Sequence, residues 1–312
     1  MNADAMGAQG ARLVGNVIKG LSIAAVAVAT VLVATPSADA AIAYALTDNN
    51  RLLRFDTATP GVLTGVAPIS GRVNGEDLIG IDFRPANNGL YAVGEFGNLY
   101  TINLNTAAAT VVGALAADPT DPTNPFTGLQ GSRWGFDFNP VADRLRITSD
   151  TGQNLRVNPA NGLVTTDTNL LYAGGAVTPL VVGAAYTNNF PGAQSTILYG
   201  IDSGATAHRL VQFQGSPNDG VVAAVGPLGI SNSSLVGFDI LTSDGDQAFA
   251  AMQNESLGVS ELYTINLNTG AATLVGTIGG GDLIDGLALV IPEPGALSLL
   301  TIGALALVRR RR

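Results

Sequence analysis

The chain of 312 residues contains no cysteine and only one histidine, His208. Without thiols there is no disulfide framework, thiol nucleophile or thiolate metal site, and one imidazole excludes a multi-histidine metal centre. Lysine occurs once, at Lys19, and charged residues make up only 12% of the chain. Between residues 41 and 291 there are nine arginines and 21 acidic residues, the 24 of the chain less Asp4, Asp39 and Glu293. The net charge there is 9 − 21 = −12. That balance argues against nucleic acid and anionic membrane surfaces as partners. Long helical periodicity is also missing, so stability must come from a packed β core, for which about 250 residues suffice.

Uncharged apolar runs stand at the two ends. Arg12 and Lys19 precede Leu21 to Val33, and Ala38-Asp39-Ala40 supplies a small-x-small pattern. These features predict a signal peptide over residues 1–40, cut by signal peptidase after Ala40. At the other end Pro292, Glu293 and Pro294 precede the uncharged stretch Gly295 to Val308, and Arg309, Arg310, Arg311 and Arg312 close the chain. Fourteen residues in a helix rise about 21 Å against about 30 Å of hydrocarbon, too short for an unstrained permanent span. The arginines hold the cytoplasmic side, which leaves the Pro-Glu-Pro outside. This order of features resembles the PEP-CTERM sorting signal of Gram-negative bacteria. The resemblance implies transient membrane insertion of residues 292–312 and processing by an exosortase, with delivery to the outer surface or extracellular matrix. A simple membrane anchor is the alternative. Both ends are expected to be short helical segments.

Between the ends the sequence repeats. Leu99-Tyr100-Thr101-Ile102-Asn103-Leu104-Asn105-Thr106 recurs unchanged at Leu262 to Thr269. A glycine-led apolar strand appears at Gly80, Gly135, Gly183, Gly237 and Gly286, at intervals of 55, 48, 54 and 49 residues. Periods near 50, built of short strands and Asn, Asp, Pro and Gly turns, predict an all-β propeller. Each unit reads as four strands. Gly286 to Ile291 is an inner strand with no successors, whereas Ala43 to Ile69 reads as later strands with no inner strand. Pairing them completes a fifth four-stranded blade and removes open sheet edges. The domain is thus expected to span residues 41–291.

Three segments carry a further likeness: Gly80-Ile81-Asp82-Phe83-Arg84-Pro85, Leu99 to Asn103, and Gly135 to Pro140 with Ser149 to Arg156. Through them the body resembles the bacterial domain-of-unknown-function family 4394. The resemblance implies a secreted propeller-like body and brings no catalytic residues with it.

Asp82, Asp137 and Asp239 recur at one position of the glycine-led strand, where Ala185 and Ala288 stand in the other two units. Alternation turns each carboxylate away from its apolar neighbours, so the three can converge on the channel. One reading is a ligand or metal site for Ca2+, a hard cation that prefers oxygen donors. The other is structural: each Asp accepts backbone N–H groups or pairs with Arg84 or Arg133, tying blades together. A second acidic set, Glu76, Asp77, Asp282 and Asp285, precedes two of these strands and is expected at one end of the propeller. Two carboxylates across a channel are the minimum for glycoside hydrolysis. No spacing selects such a pair, and solvated loop charges are the preferred reading.

His208 sits in a strand-like stretch with no nucleophile suggested nearby, and packing or exposure accounts for it. Trp134 reads as core. Asp118 to Pro125 reads as a surface loop, and Thr242 to Asp246 as a hairpin turn that lacks the later ligands of a calcium loop. Together these readings predict an exported, non-catalytic binding or structural protein. The company that PEP-CTERM systems keep points to extracellular polysaccharide as its ligand. The competing expectation is an extracellular hydrolase acting through channel carboxylates.

Overall fold

A computed structural model describes residues 40–291, apart from positions 176, 205–207, 232 and 244. Ala38 of the cleavage pattern, the signal segment before it, and the sorting residues Pro292, Glu293, Pro294 and Arg309 to Arg312 lie outside the described residues, as does Asp244. Among the described residues no helix is long and apolar enough to cross a membrane.

The chain begins with β1 (Ile42–Thr47), β2 (Arg51–Asp56) and β3 (Leu63–Pro68). A complete blade follows in β4 (Leu78–Arg84), β5 (Gly89–Gly94), β6 (Asn98–Ile102) and β7 (Ala109–Ala114). After the two-residue β8 (Ala116–Ala117), the third blade contains β9 (Trp134–Asn139), β10 (Arg144–Ser149), β11 (Asn154–Val157) and β12 (Leu163–Thr166). After β13 (Leu171–Tyr172), the fourth contains β14 (Val181–Tyr186), β15 (Leu198–Asp202), β16 (Arg209–Phe213) and β17 (Val221–Pro227). The fifth contains β18 (Val236–Thr242), β19 (Asp246–Asn254), β20 (Val259–Ile265) and β21 (Ala272–Thr277). Finally β22 (Ile284–Leu289) returns to pair antiparallel with β1, from Ala43 opposite Leu289 to Thr47 opposite Ile284. The result is a five-bladed propeller whose first blade joins both ends of the domain.

Two blades depart from the four-strand expectation. β8 pairs parallel with β12, and β13 pairs parallel with β17, giving two five-stranded sheets. In each case the linker leaving one blade lies along the outer strand of the next. Ser70 makes the same kind of parallel bridge to Ala108. These short additions cover edges that would otherwise present unpaired backbone groups.

Burial falls off from axis to rim. Every residue of the inner strand β14 is buried, whereas the outer strand β3 alternates half-buried and exposed. Strands buried on both faces need continuous apolar runs, and outer strands can alternate. Most of the core lies between blades: Tyr44 and Leu46 meet Ile81 and Phe83, and Phe249 and Leu262 meet Leu53 and Leu287.

Candidate functional site

The five inner strands form the hub. A Cβ on Gly80 would strike the Phe136 ring at 2.0 Å, on Gly135 the Ala184 nitrogen at 2.7 Å, and on Gly183 the Phe238 Cβ at 2.9 Å. On Gly237 it would meet the Leu287 nitrogen at 2.5 Å, and on Gly286 the Ile81 nitrogen at 3.3 Å. Each glycine thus faces the inner strand of the following blade, and the relay runs once around the ring. Close approach of backbones is what glycine permits and a side chain would block. The space left at this level is about 10 Å3, room for roughly one water.

Two residues further along each strand comes the ring of Asp82, Asp137, Ala185, Asp239 and Ala288. The carboxylates of Asp82, Asp137 and Asp239 converge: a ligand oxygen from each lies within 4.8 Å of the others, and all three are buried. Asp82 accepts the N–H of Phe83 and, across the blade boundary, that of Phe138, both at 2.7 Å. Asp239 accepts Ile240 N–H and Leu289 N–H in the same way at 2.6 Å. Asp137 differs. The amide of Tyr186 approaches it and favours its charged form, but neither oxygen closes a hydrogen bond.

The structural and ligand readings of these residues therefore meet in one place, since two carboxylates clasp the next blade while all three share the axis. Neither Arg84 nor Arg133 reaches them. Arg84 pairs instead with Asp143, and Arg133 lies in the channel mouth. Burial pushes Asp239 up to about 6, against the opposing pull of its two amides. Burial raises Asp82 and Asp137 well above the usual carboxylate range, and neighbouring carboxylate charge adds to both shifts. With no cation to offset it, a buried carboxylate charge is disfavoured.

Above the glycine level the hub opens into a mouth of about 530 Å3 at the leading ends of the inner strands. Its wall carries Asp48, Asp77, Glu95, Asp285, Arg133 and Trp134. Burial lifts Asp285 to about 6; Arg133 opposes the shift, while Asp48 and Asp77 add to it.

Of the second acidic set only Asp77 and Asp285 line this mouth. Glu76 turns away and is buried, accepting the Phe96 N–H at 2.9 Å, the Asn98 amide at 2.8 Å and the Tyr100 hydroxyl. Burial and that carboxylate together push the Tyr100 phenol up to about 12. Asp282 takes two hydrogen bonds from Arg51, at 2.7 and 2.9 Å. Both are structural. Trp134 is only partly core, because it is half-buried and lines the mouth. His208 precedes β16, away from the mouth lining.

Residues 51–288 match the family described as Domain of unknown function (DUF4394). The chain belongs to this family. Residues 290–312 match the PEP-CTERM protein-sorting motif, which marks an exported protein processed by an exosortase. No curated protein matches at a significant level. Among solved structures, the crystal structure of a nidogen/laminin complex is similar at 13% identity and TM-score 0.45, over 81% of this chain and 98% of that one. A putative 6-phosphogluconolactonase from Bacteroides fragilis is similar at 13% identity and TM-score 0.38, over 82% and 99%. At that level neither likeness bears on activity.

The family-bearing segment Ser149 to Arg156 has a physical role that its sequence did not reveal. Arg146, only 2% exposed, donates to Asp167 at 2.6 Å, Asn154 at 2.8 Å, Asn218 at 2.7 Å and the Tyr186 hydroxyl at 3.3 Å. Arg156 closes a two-pronged pair on the same Asp167, both bonds at 2.8 Å. The third blade thus meets the fourth through a buried network centred on Arg146, which reaches Tyr186 and Asn218 of the fourth. A buried arginine demands such satisfaction.

Proposed function

We propose that this protein is a non-catalytic binding module of the outer surface or extracellular matrix, with an extracellular polysaccharide segment seated in the channel mouth. The observation that carries the reading is the mouth itself: a concave space of about 530 Å3 with an aromatic wall at Trp134 and carboxylates at Asp48, Asp77, Glu95 and Asp285. Volumes of roughly 300–1,000 Å3 suit small ligands. Carboxylates accept hydrogen bonds from sugar hydroxyls, and an indole face suits the apolar side of a pyranose. Export as proposed starts with a signal peptide over residues 1–40 removed by signal peptidase after Ala40, and surface delivery follows exosortase action at 292–312.

The test is calorimetric titration of the mature protein with oligosaccharides from the producer's own matrix. Binding is expected, with at least a tenfold loss in Trp134→Ala and Asp77→Asn. Absence of binding, or unchanged affinity in both variants, would sink the proposal.

One observation favours a second reading, hydrolysis of the same ligand. Burial, with Asp48 and Asp77 adding to the shift, holds Asp285 at about 6, and a carboxyl raised towards neutral pH suits a general-acid role. Release of new reducing ends that disappears in Asp285→Asn would establish it. Binding without turnover would end it.

A further inference from the structure

We propose that Asp82, Asp137 and Asp239 form a buried axial calcium site that locks the blades around the hub. The site is independent of what fills the mouth.

Geometry comes first. Oxygens bound to one calcium at 2.3–2.6 Å can lie no more than about 5 Å apart, and the three carboxylates offer oxygens within 4.8 Å of one another. Three residues supply six carboxylate oxygens. In Asp82 and Asp239 each oxygen accepts one amide N–H, which leaves a second lone pair for a cation. Asp137 carries the decisive observation: it is 0% exposed and, although the Tyr186 amide approaches it, neither of its buried oxygens closes a hydrogen bond. A carboxylate so placed is costly unless something positive or protic meets it.

Chemistry narrows the occupant. Three carboxylates are hard, anionic donors, and a divalent cation neutralises most of their charge. Magnesium demands near-octahedral geometry at 2.0–2.1 Å and sheds its waters reluctantly. Calcium tolerates irregular oxygen cages and suits the site better. The clasps give the ion its mechanical meaning, because Asp82 and Asp239 already hold Phe138 and Leu289 of the following blades. One ion joining all three carboxylates braces the second, third and fifth blades at once. Affinities of extracellular calcium modules are of order 10⁻⁴–10⁻³ M, so such a brace closes in a calcium-rich exterior and stays open where calcium is scarce.

The experiment uses the mature protein stripped by a chelator, with melting followed by calorimetry and bound metal counted by equilibrium dialysis. One calcium per chain and a midpoint rise of about 5 °C near saturation are expected, both reversed by chelator. Asp137→Asn should lose the rise, whereas the mouth variant Asp48→Asn/Asp77→Asn should keep it. If Asp137→Asn does not fold, Asp239→Asn and the wild-type metal count carry the test. No bound calcium would mean that the three acids are satisfied by shared protons, and the proposal fails. It also fails if the mouth variant abolishes binding, or if magnesium gives an equal shift.

Discussion

Ala107 and Gly270 hold the same place after the repeated octapeptide, and both have left-handed backbone, at φ 53° and 80°. In each turn the side-chain oxygen of an asparagine, Asn103 or Asn266, accepts the amides two and three residues further on. Identical sequence thus builds an identical turn, but the next residue is constrained differently. A Cβ on Gly270 would lie 2.3 Å from the Gly226 carbonyl oxygen, while the methyl of Ala107 is buried in the core. Gly270→Ala should therefore cost about 2–4 kcal/mol, the sum of left-handed strain and overpacking. Ala107→Gly relieves about 1–2 kcal/mol of strain but loses methyl burial and adds chain entropy, so it should be neutral within about 1 kcal/mol. Urea melts of the two variants measure this directly; equal effects would refute the account. At this scale the axial aspartates were readable from sequence because they repeat in register. The difference between Glu76 and Asp77 was not, since which neighbour turns inward depends on Tyr100 and Asn98 of another strand. Asp48 and Glu95 were unreadable for a similar reason: they reach the mouth from turns of separate blades.

Among elements, the boundary between the third and fourth blades stands apart. Asp167, itself 5% exposed, anchors the buried Arg146 and the partly exposed Arg156 there, whereas Asp143, 38% exposed, meets Arg84 nearer the surface. Removing one partner of a buried ion network strands the other charge, so Asp167→Ala should cost about 3–5 kcal/mol. Asp143→Ala should cost less than about 1 kcal/mol. Chemical denaturation of the pair decides it, and comparable losses would contradict the burial argument. The strand order and the shared first blade were readable from the glycine-led repeat and the unmatched ends. The linker strands β8 and β13 were not, because two-residue parallel pairings leave no periodic trace. The ion network escaped notice because Arg146 and Asp167 are 21 residues apart and nothing in their spacing couples them.

The ring as a whole should respond to pH with an unusual sign. Asp285, facing Asp48, Asp77 and Arg133, is held at about 6, above its ordinary 3.8. A carboxyl whose folded pKa is raised binds its proton more tightly when folded, so its stabilising contribution is complete below about 3.8 and is lost as pH rises through about 6. The buried axial carboxylates shift in the same direction. Chelator-treated protein should accordingly melt at a lower temperature at pH 7 than at pH 5, and Asp285→Asn should reduce the difference. A midpoint that climbs over this range would overturn the assignment.

Strand β22 enters the hub beside the mouth, with Leu283 and Asp285 in its wall, and runs to Leu289 at the far end of the axis. Ala41 lies at that same far end, bonded to Thr57 where β1 begins opposite Asp56. Both ends of the described chain therefore leave from the face opposite the opening, and the C-terminal one leaves from the centre of the ring. Held by whatever follows Ile291, the body would stand on its axle with its opening turned outward. A pull on that tether would fall on a buried inner strand of the hub, held by its pairing with β1, and not on the rim.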